Sequence, residues 1–210
     1  MTATRNPENQ LFTPNEAAVL TRLPLKAVQN AIDRKTVPAI SGHRSGYSTR
    51  LLDSRALVAL ALERRLTDRI VPDLRREIFR ALTDVRGSKV SVEGGLITID
   101  LREPRKELAG SLRELRRARE LVHSDPAIKG GDPVFRGTRI QVHMIAELVE
   151  KGSPAEELME GYPRMTAEML RLASVYAAAY PLRGRPRSQP WHDRPPIHTS
   201  RARLSDFDAA

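Results

Sequence analysis

The stretch GGDPVFRGTRIQVHMI, from Gly130 to Ile145, limits the fold more than any other part of this 210-residue chain. Glycines and a proline stand directly ahead of an apolar, helix-like run. A phosphate-binding loop needs a Gly-rich turn that closes in Gly-Lys-Ser/Thr and opens a helix. Here Lys129 precedes the glycines, Thr138-Arg139 follows Gly137 with no lysine, and no buried β-branched strand leads in. The spacing therefore fits a small hairpin feeding a helical unit. Arg136-Gly137 as a two-residue turn sets Phe135 opposite Thr138 and Val134 opposite Arg139. Pro133 falls at a strand start, where its missing N–H does least harm. A helix follows from Val142 to about Lys151, closed by Gly152. Ser153, with Pro154 and Glu156, caps a second helix, and Thr166 caps a third from Ala167 to about Tyr180.

The N-terminal segment LFTPNEAAVLTRLPLKAVQNAIDRKTVPAI carries a second clear signal. Thr13 is an N-cap, Pro14 takes the first helical position and Glu16 completes a capping box. The first helix runs from Pro14 to Leu20. After a short break at Leu23-Pro24, a second helix runs from Leu25 to Lys35, with Leu25, Val28 and Ile32 at helical spacing. Lys26, Gln29, Asn30 and Asp33 or Arg34 project from its other face, with Lys35 at its end. Gln and Asn pair with adenine edges, whereas Lys and Arg suit guanine or phosphate. Gly42 and Gly46 then bracket His43-Arg44-Ser45 as a small basic wing, with Tyr47 behind it, and a third helix opens near Asp53 or Ser54. In this order of elements the chain resembles the MerR-like winged helix-turn-helix family. The resemblance implies that the second helix enters the major groove and the wing touches the backbone. It assigns DNA contacts to Lys26, Gln29, Asn30, Arg34, Lys35, Arg44 and Tyr47.

Between these units, VPDLRREIFRAL is an amphipathic helix with Leu74, Ile78, Phe79 and Leu82 in one stripe. KVSVEGGLITIDL reads as a hairpin turning at Gly94-Gly95, which sets Val92 opposite Ile97 and Val90 opposite Ile99. Its apolar face needs a cover, either the preceding helix or a second subunit. A charged helix from Glu107 carries Leu108, Leu112 and Leu115 inward and reads as a connector or dimer helix.

Charge narrows the function classes. The net charge is +9, distributed as +5 over residues 1–71, +3 over 72–123, −2 over 124–180 and +3 over 181–210. A basic first half points to a polyanionic partner, nucleic acid first. There is no cysteine, so no disulfide or cysteine nucleophile. The five histidines are scattered without metal-ligand spacing, and no nucleophile elbow occurs. Neither catalysis, a metal nor a cofactor is expected. No apolar stretch nears the ~18–20 residues of a membrane span, and the polar start does not read as a signal peptide. A cytoplasmic binding protein is the expectation.

The segment from Ser124 to Tyr180 holds Asp-Pro, Gly-Gly-x-Pro-Val, Gly-Thr-Arg-Ile, Ser-Pro and Tyr-Pro in order. It resembles a small bacterial domain long catalogued as of unknown function; proteins with this domain resemble VapB-type antitoxins, commonly encoded beside a PIN-like ribonuclease toxin. The resemblance implies a hairpin with a homeodomain-like three-helix unit, usually dimeric. The third helix, rich in Met169, Leu170, Leu172, Val175 and Tyr176, suits burial against a second copy or the partner. Arg164 and Arg171 leave open a second DNA-reading helix.

Residues 181–210 hold five prolines, six arginines and few aliphatic groups, and are expected to be extended alone. Trp191 would anchor the tail to a partner. Arg183, Arg185, Arg187 or Arg194 would pair with the carboxylate cluster of a PIN-type nuclease. The expected whole is mainly α with small β-hairpins. Two helix-turn-helix-like units, at 1–70 and 124–180, flank a helix-hairpin-helix connector at 71–123, and a toxin-binding tail follows at 181–210. The resulting function is a homodimeric antitoxin that neutralises its toxin and represses its own operon by binding operator DNA. A transcriptional regulator without a toxin is the alternative.

Overall fold

The computed structural model describes residues 10–44, 46–66, 70–82 and 87–182. Over these the chain is mostly helical with small two-stranded antiparallel sheets, the mainly α arrangement that the patterning predicts. The proposed tail contacts Arg183, Arg185, Arg187, Trp191 and Arg194 lie outside the described residues.

Helix α1 spans Pro14–Thr21 and opens on a complete capping box. The Thr13 hydroxyl accepts from the Glu16 backbone N–H at 3.2 Å, and the Glu16 carboxylate accepts from the Thr13 N–H at 2.8 Å. It ends at Arg22 in the left-handed conformation, φ 56°, a position that glycine usually takes. Helix α2 (Leu25–Asp33) buries Val28, Ala31 and Ile32. Leu25, expected inside, is 37 % exposed, and Ala31 takes the inward place. Strands β1 (Ile40–Arg44) and β2 (Tyr47–Leu51) form a hairpin where the wing is expected, paired from Ile40↔Leu51 to Arg44↔Tyr47. Helix α3 (Ser54–Leu66) starts where the Asp53 carboxylate accepts from the Ala56 N–H at 2.8 Å.

Helix α4 (Pro72–Leu82) lies on the hairpin of β3 (Lys89–Val92) and β4 (Ile97–Asp100). The register is the expected one, Val92↔Ile97 and Val90↔Ile99. Gly94 and Gly95 both hold positive φ at the turn, 64° and 97°. Val90 and Val92 are buried in the same core as Ile78 and Phe79, so α4 supplies the cover and no second subunit is needed for it. Helix α5 (Arg102–Glu120) begins ahead of the expected Glu107. Asp100 accepts the backbone N–H of Arg102 at 2.9 Å, and Pro104 sits in the first turn, where no N–H is missed.

The opening stretch does turn, in a wider register than expected. Phe135 donates to the Ile140 carbonyl at 3.0 Å and Val134 bridges Gln141, so four residues, Arg136 to Arg139, make the loop. Thr138 sets this width. Its hydroxyl donates to the Phe135 carbonyl at 2.8 Å and accepts from the Ile140 N–H at 3.1 Å. The regular strand partner of β6 (Val134–Phe135) is β5 (Val122–His123), which directly follows α5. Helices α6 (Val142–Glu150), α7 (Ala155–Gly161) and α8 (Ala167–Ala179) complete the chain. Pro154 rather than Ser153 caps α7, because the Ser153 N–H is drawn back to the Leu148 carbonyl in closing α6 over Gly152.

Two apolar clusters hold these pieces together. One gathers Phe12, Leu20, Val28, Leu52, Leu60, Ile78, Leu101 and Leu115; the other gathers Val122, Phe135, Val142, Ile145, Leu158 and Leu170. Each large side chain so buried contributes ~1.5–3 kcal/mol. Helix α8 serves both, giving Ala179 to the first and Leu170 and Ala173 to the second, and it packs on α1, α5 and α6. Its apolar surface is thus spent largely inside its own chain. The charged α5 pairs with α8 as well as along itself: Arg117 with Glu168 at 2.8 Å and Arg171 with Glu114 at 2.6 Å.

Candidate nucleic-acid interface

The exposed face of α2 is built by its period. With Val28, Ala31 and Ile32 turned inward, Lys26, Gln29 and Asn30 share the opposite side and are all exposed. Among the described residues none of the three side chains is engaged in a hydrogen bond or ion pair. Arg34 and Lys35 extend this surface at the helix C-terminus. Lys35 takes a left-handed conformation, φ 53°, that turns the chain toward the wing.

The wing divides by strand alternation. Its outer side carries Ser41 across from Arg50 and His43 across from Ser48, all exposed. Arg44 and Tyr47 pair on the other side and line a cleft together with Glu16 and Tyr180. Arg44 donates to the Leu11 carbonyl at 3.3 Å and stands 3.8 Å from the Glu16 carboxylate. Arg50, passed over in the sequence, has the better-placed charge. The signal was available: in a strand of period two it lies out of phase with buried Leu51.

Behind the wing lies a buried charge. Glu16 is 2 % exposed, and an unpaired carboxylate there would be costly. It accepts from the Thr13 N–H and, at 2.7 Å, from the Tyr180 hydroxyl at the far end of α8. Burial first, and then the Glu16 charge, push the Tyr180 phenol well above its ordinary value. Tyr180 also stacks on Tyr176 at 4.9 Å, lies under the Arg119 guanidinium at 5.9 Å, and its carbonyl is 2.8 Å from His143 Nε2. The α1 cap and the C-terminal end of α8 are therefore one hydrogen-bonded assembly.

The second helical unit presents a different surface. Arg164 donates to the Gly137 carbonyl at 2.9 Å and Arg171 is paired with Glu114, so both arginines of the alternative reading helix have intramolecular partners. Among the described residues no group of three His, Cys, Asp or Glu side chains is placed to hold a metal ion. No described helix is long and apolar enough to cross a membrane.

Residues 122–177 match the family model described as "Protein of unknown function (DUF433)". That match opens at β5 and closes within α8. A longer likeness covers 85 % of this chain and 85 % of its relative, at 35 % identity over 188 residues, to the uncharacterized protein y4eO of Sinorhizobium fredii (strain NBRC 101917 / NGR234). The chain belongs to the y4eO family. Within that family the DUF433 segment of this member forms the second apolar cluster, with helices α1 to α3 and their hairpin ahead of it. The crystal structure of Rv2018 from Mycobacterium tuberculosis aligns with 78 % of this chain and 96 % of its own, at 18 % identity and a TM-score of 0.29. That score is too low for a common arrangement to be read from it.

Proposed function

We propose that this protein is the antitoxin of a type II toxin–antitoxin pair, an operator-binding repressor that also neutralises a PIN-like ribonuclease toxin. The observation that carries the DNA-binding part is the α2 face, where Lys26, Gln29 and Asn30 are exposed and unengaged among the described residues. Side chains able to read base edges and phosphates, on a short helix beside a wing, suit a major groove. The toxin-binding part rests on the resemblance of 124–180 to VapB-type antitoxins and on the arginine-rich composition of 181–210. The protein works as a homodimer on paired half-sites, joined by a surface other than the α8 face already packed in its own chain.

The test is co-expression with the ribonuclease encoded beside its gene. The full chain restores growth, and a chain cut after Tyr180 still binds operator DNA but no longer restores growth. A mobility shift on its own upstream DNA checks the repressor role. Growth rescue without any shift would leave a plain inhibitor, and a shift without rescue by any neighbouring nuclease would leave a regulator with no toxin.

A further inference from the structure

Beyond the α2 face, a cleft of about 470 Å³ opens between the end of α2, the wing and α4. Arg34 and Lys35 line it from α2, Arg50 from β2, and Arg76 and Arg80 from α4, and no acidic side chain is in the lining. Arg76 pairs with Asp73 on its own helix. Arg34, Lys35, Arg50 and Arg80 have no ion pair or side-chain hydrogen bond with any described residue.

Such an arrangement works against the free protein. Cations drawn around one cleft repel each other, and Arg76 and Arg80 are four apart on one helix face, where like charges oppose the helix. Other arginines of the described residues do meet acids: Arg75 has Glu63, Arg64 and Arg65 share Glu107, and Arg117 has Glu168. In this cleft cations from three separate parts of the fold share one space with no acid in the lining. A polyanion supplies the missing charge, and guanidinium groups from two sides suit the oxygens of successive phosphates.

We propose that this cleft is a phosphate clamp that seats the backbone of duplex DNA, with α4 as a DNA-contacting element beside the winged unit. The inference rests on the operator-binding reading and adds to it a contact that positions the duplex without reading sequence. Helix α2 carries the base-reading groups; Arg50 and Arg80, both in the lining of the cleft, grip the strand that runs past its C-terminal end.

The experiment uses the full chain and a fluorescein-labelled duplex carrying the DNA upstream of its own gene, titrated over a series of salt concentrations. Tripolyphosphate serves as a small competing anion. The variant is R50A/R80A, with Q29A/N30A for comparison; both sets of side chains are exposed, and unchanged thermal melts exclude misfolding. R50A/R80A is expected to weaken binding to specific and unrelated duplexes alike, and to flatten the dependence of log K on log salt by about 1.8, roughly 0.9 per lost phosphate contact. Q29A/N30A is expected to erase the preference for the upstream sequence and leave the slope in place. An unchanged slope in R50A/R80A, with Q29A/N30A still erasing preference, overturns the clamp and leaves operator binding intact. Tripolyphosphate binding lost in R50A/R80A while duplex binding persists makes the cleft a small-anion site and likewise overturns it. Failure of the unaltered chain to bind any duplex sinks the clamp and the operator reading together.

Discussion

The hydroxyl of Tyr180 donates a 2.7 Å hydrogen bond to the carboxylate of Glu16 across a separation of 164 residues. Glu16 is also the residue that closes the α1 capping box, so the start of the winged unit is satisfied in part by the end of α8.

Replacing Tyr180 with Phe keeps the ring and removes the donor. The loss should be ~1–2 kcal/mol, since a buried charged acceptor is left short of a partner. The same variant has a pH signature. The Tyr180 phenol lies above its ordinary value because of burial and the Glu16 charge, so the folded chain holds its proton where the unfolded chain releases it. Its contribution is full below about pH 10 and declines as pH rises above that. Urea midpoints at about pH 9 and about pH 11 should therefore fall less steeply in Y180F than in the parent chain. Equal falls would show that Tyr180 does not govern alkaline stability.

Arg22 occupies a left-handed helix end at φ 56° and is exposed. A residue with a Cβ is strained there by ~1 kcal/mol, and glycine is not. R22G should raise stability slightly, by ~0.5–1 kcal/mol in denaturant unfolding, against the usual cost of adding a glycine. A clear destabilisation would mean that the Arg22 side chain contributes something its geometry does not reveal.

Asp100 supports the start of α5. Its carboxylate accepts first from the Arg102 guanidinium and then from the Arg102 backbone N–H, which hold its carboxyl down to about 2. A lowered folded value means that this contribution is present above about pH 4 and is lost as pH falls toward 2. Carboxyl chemical shifts should titrate with a midpoint near 2, moving up in R102A but remaining lowered by the backbone bond. A midpoint near 4 in the unaltered chain would remove the capping role.

The α2 face separates sequence reading from charge. N30A should relax base preference by ~1–3 kcal/mol at one position of the operator. K26A should weaken all duplexes and reduce the salt slope by about 0.9. R44A should act differently. Arg44 is turned to Leu11 and Glu16, so its loss is expected to lower thermal stability more than DNA affinity. Competition binding and melting curves on the three variants check this ordering.

What was legible in the residues alone is what neighbours in the chain decide. The Thr13–Glu16 capping box, the apolar stripe of α2 and the Val90–Ile99 register depend on contacts within a few residues or across one tight turn. Those interactions have fixed spacings, so the pattern carries them. The loop after Phe135 is two residues longer than the Arg136–Gly137 turn that alternation predicts, because the Thr138 hydroxyl selects a wider loop, a choice that apolar alternation does not record. Only the packed chain could set β5 against β6, draw Arg44 to Leu11 and Glu16, spread α8 over two cores and bring Arg50 and Arg80 to one cleft. These relations join segments far apart in sequence, and nothing local distinguishes an arginine that will meet an acid from one that will not.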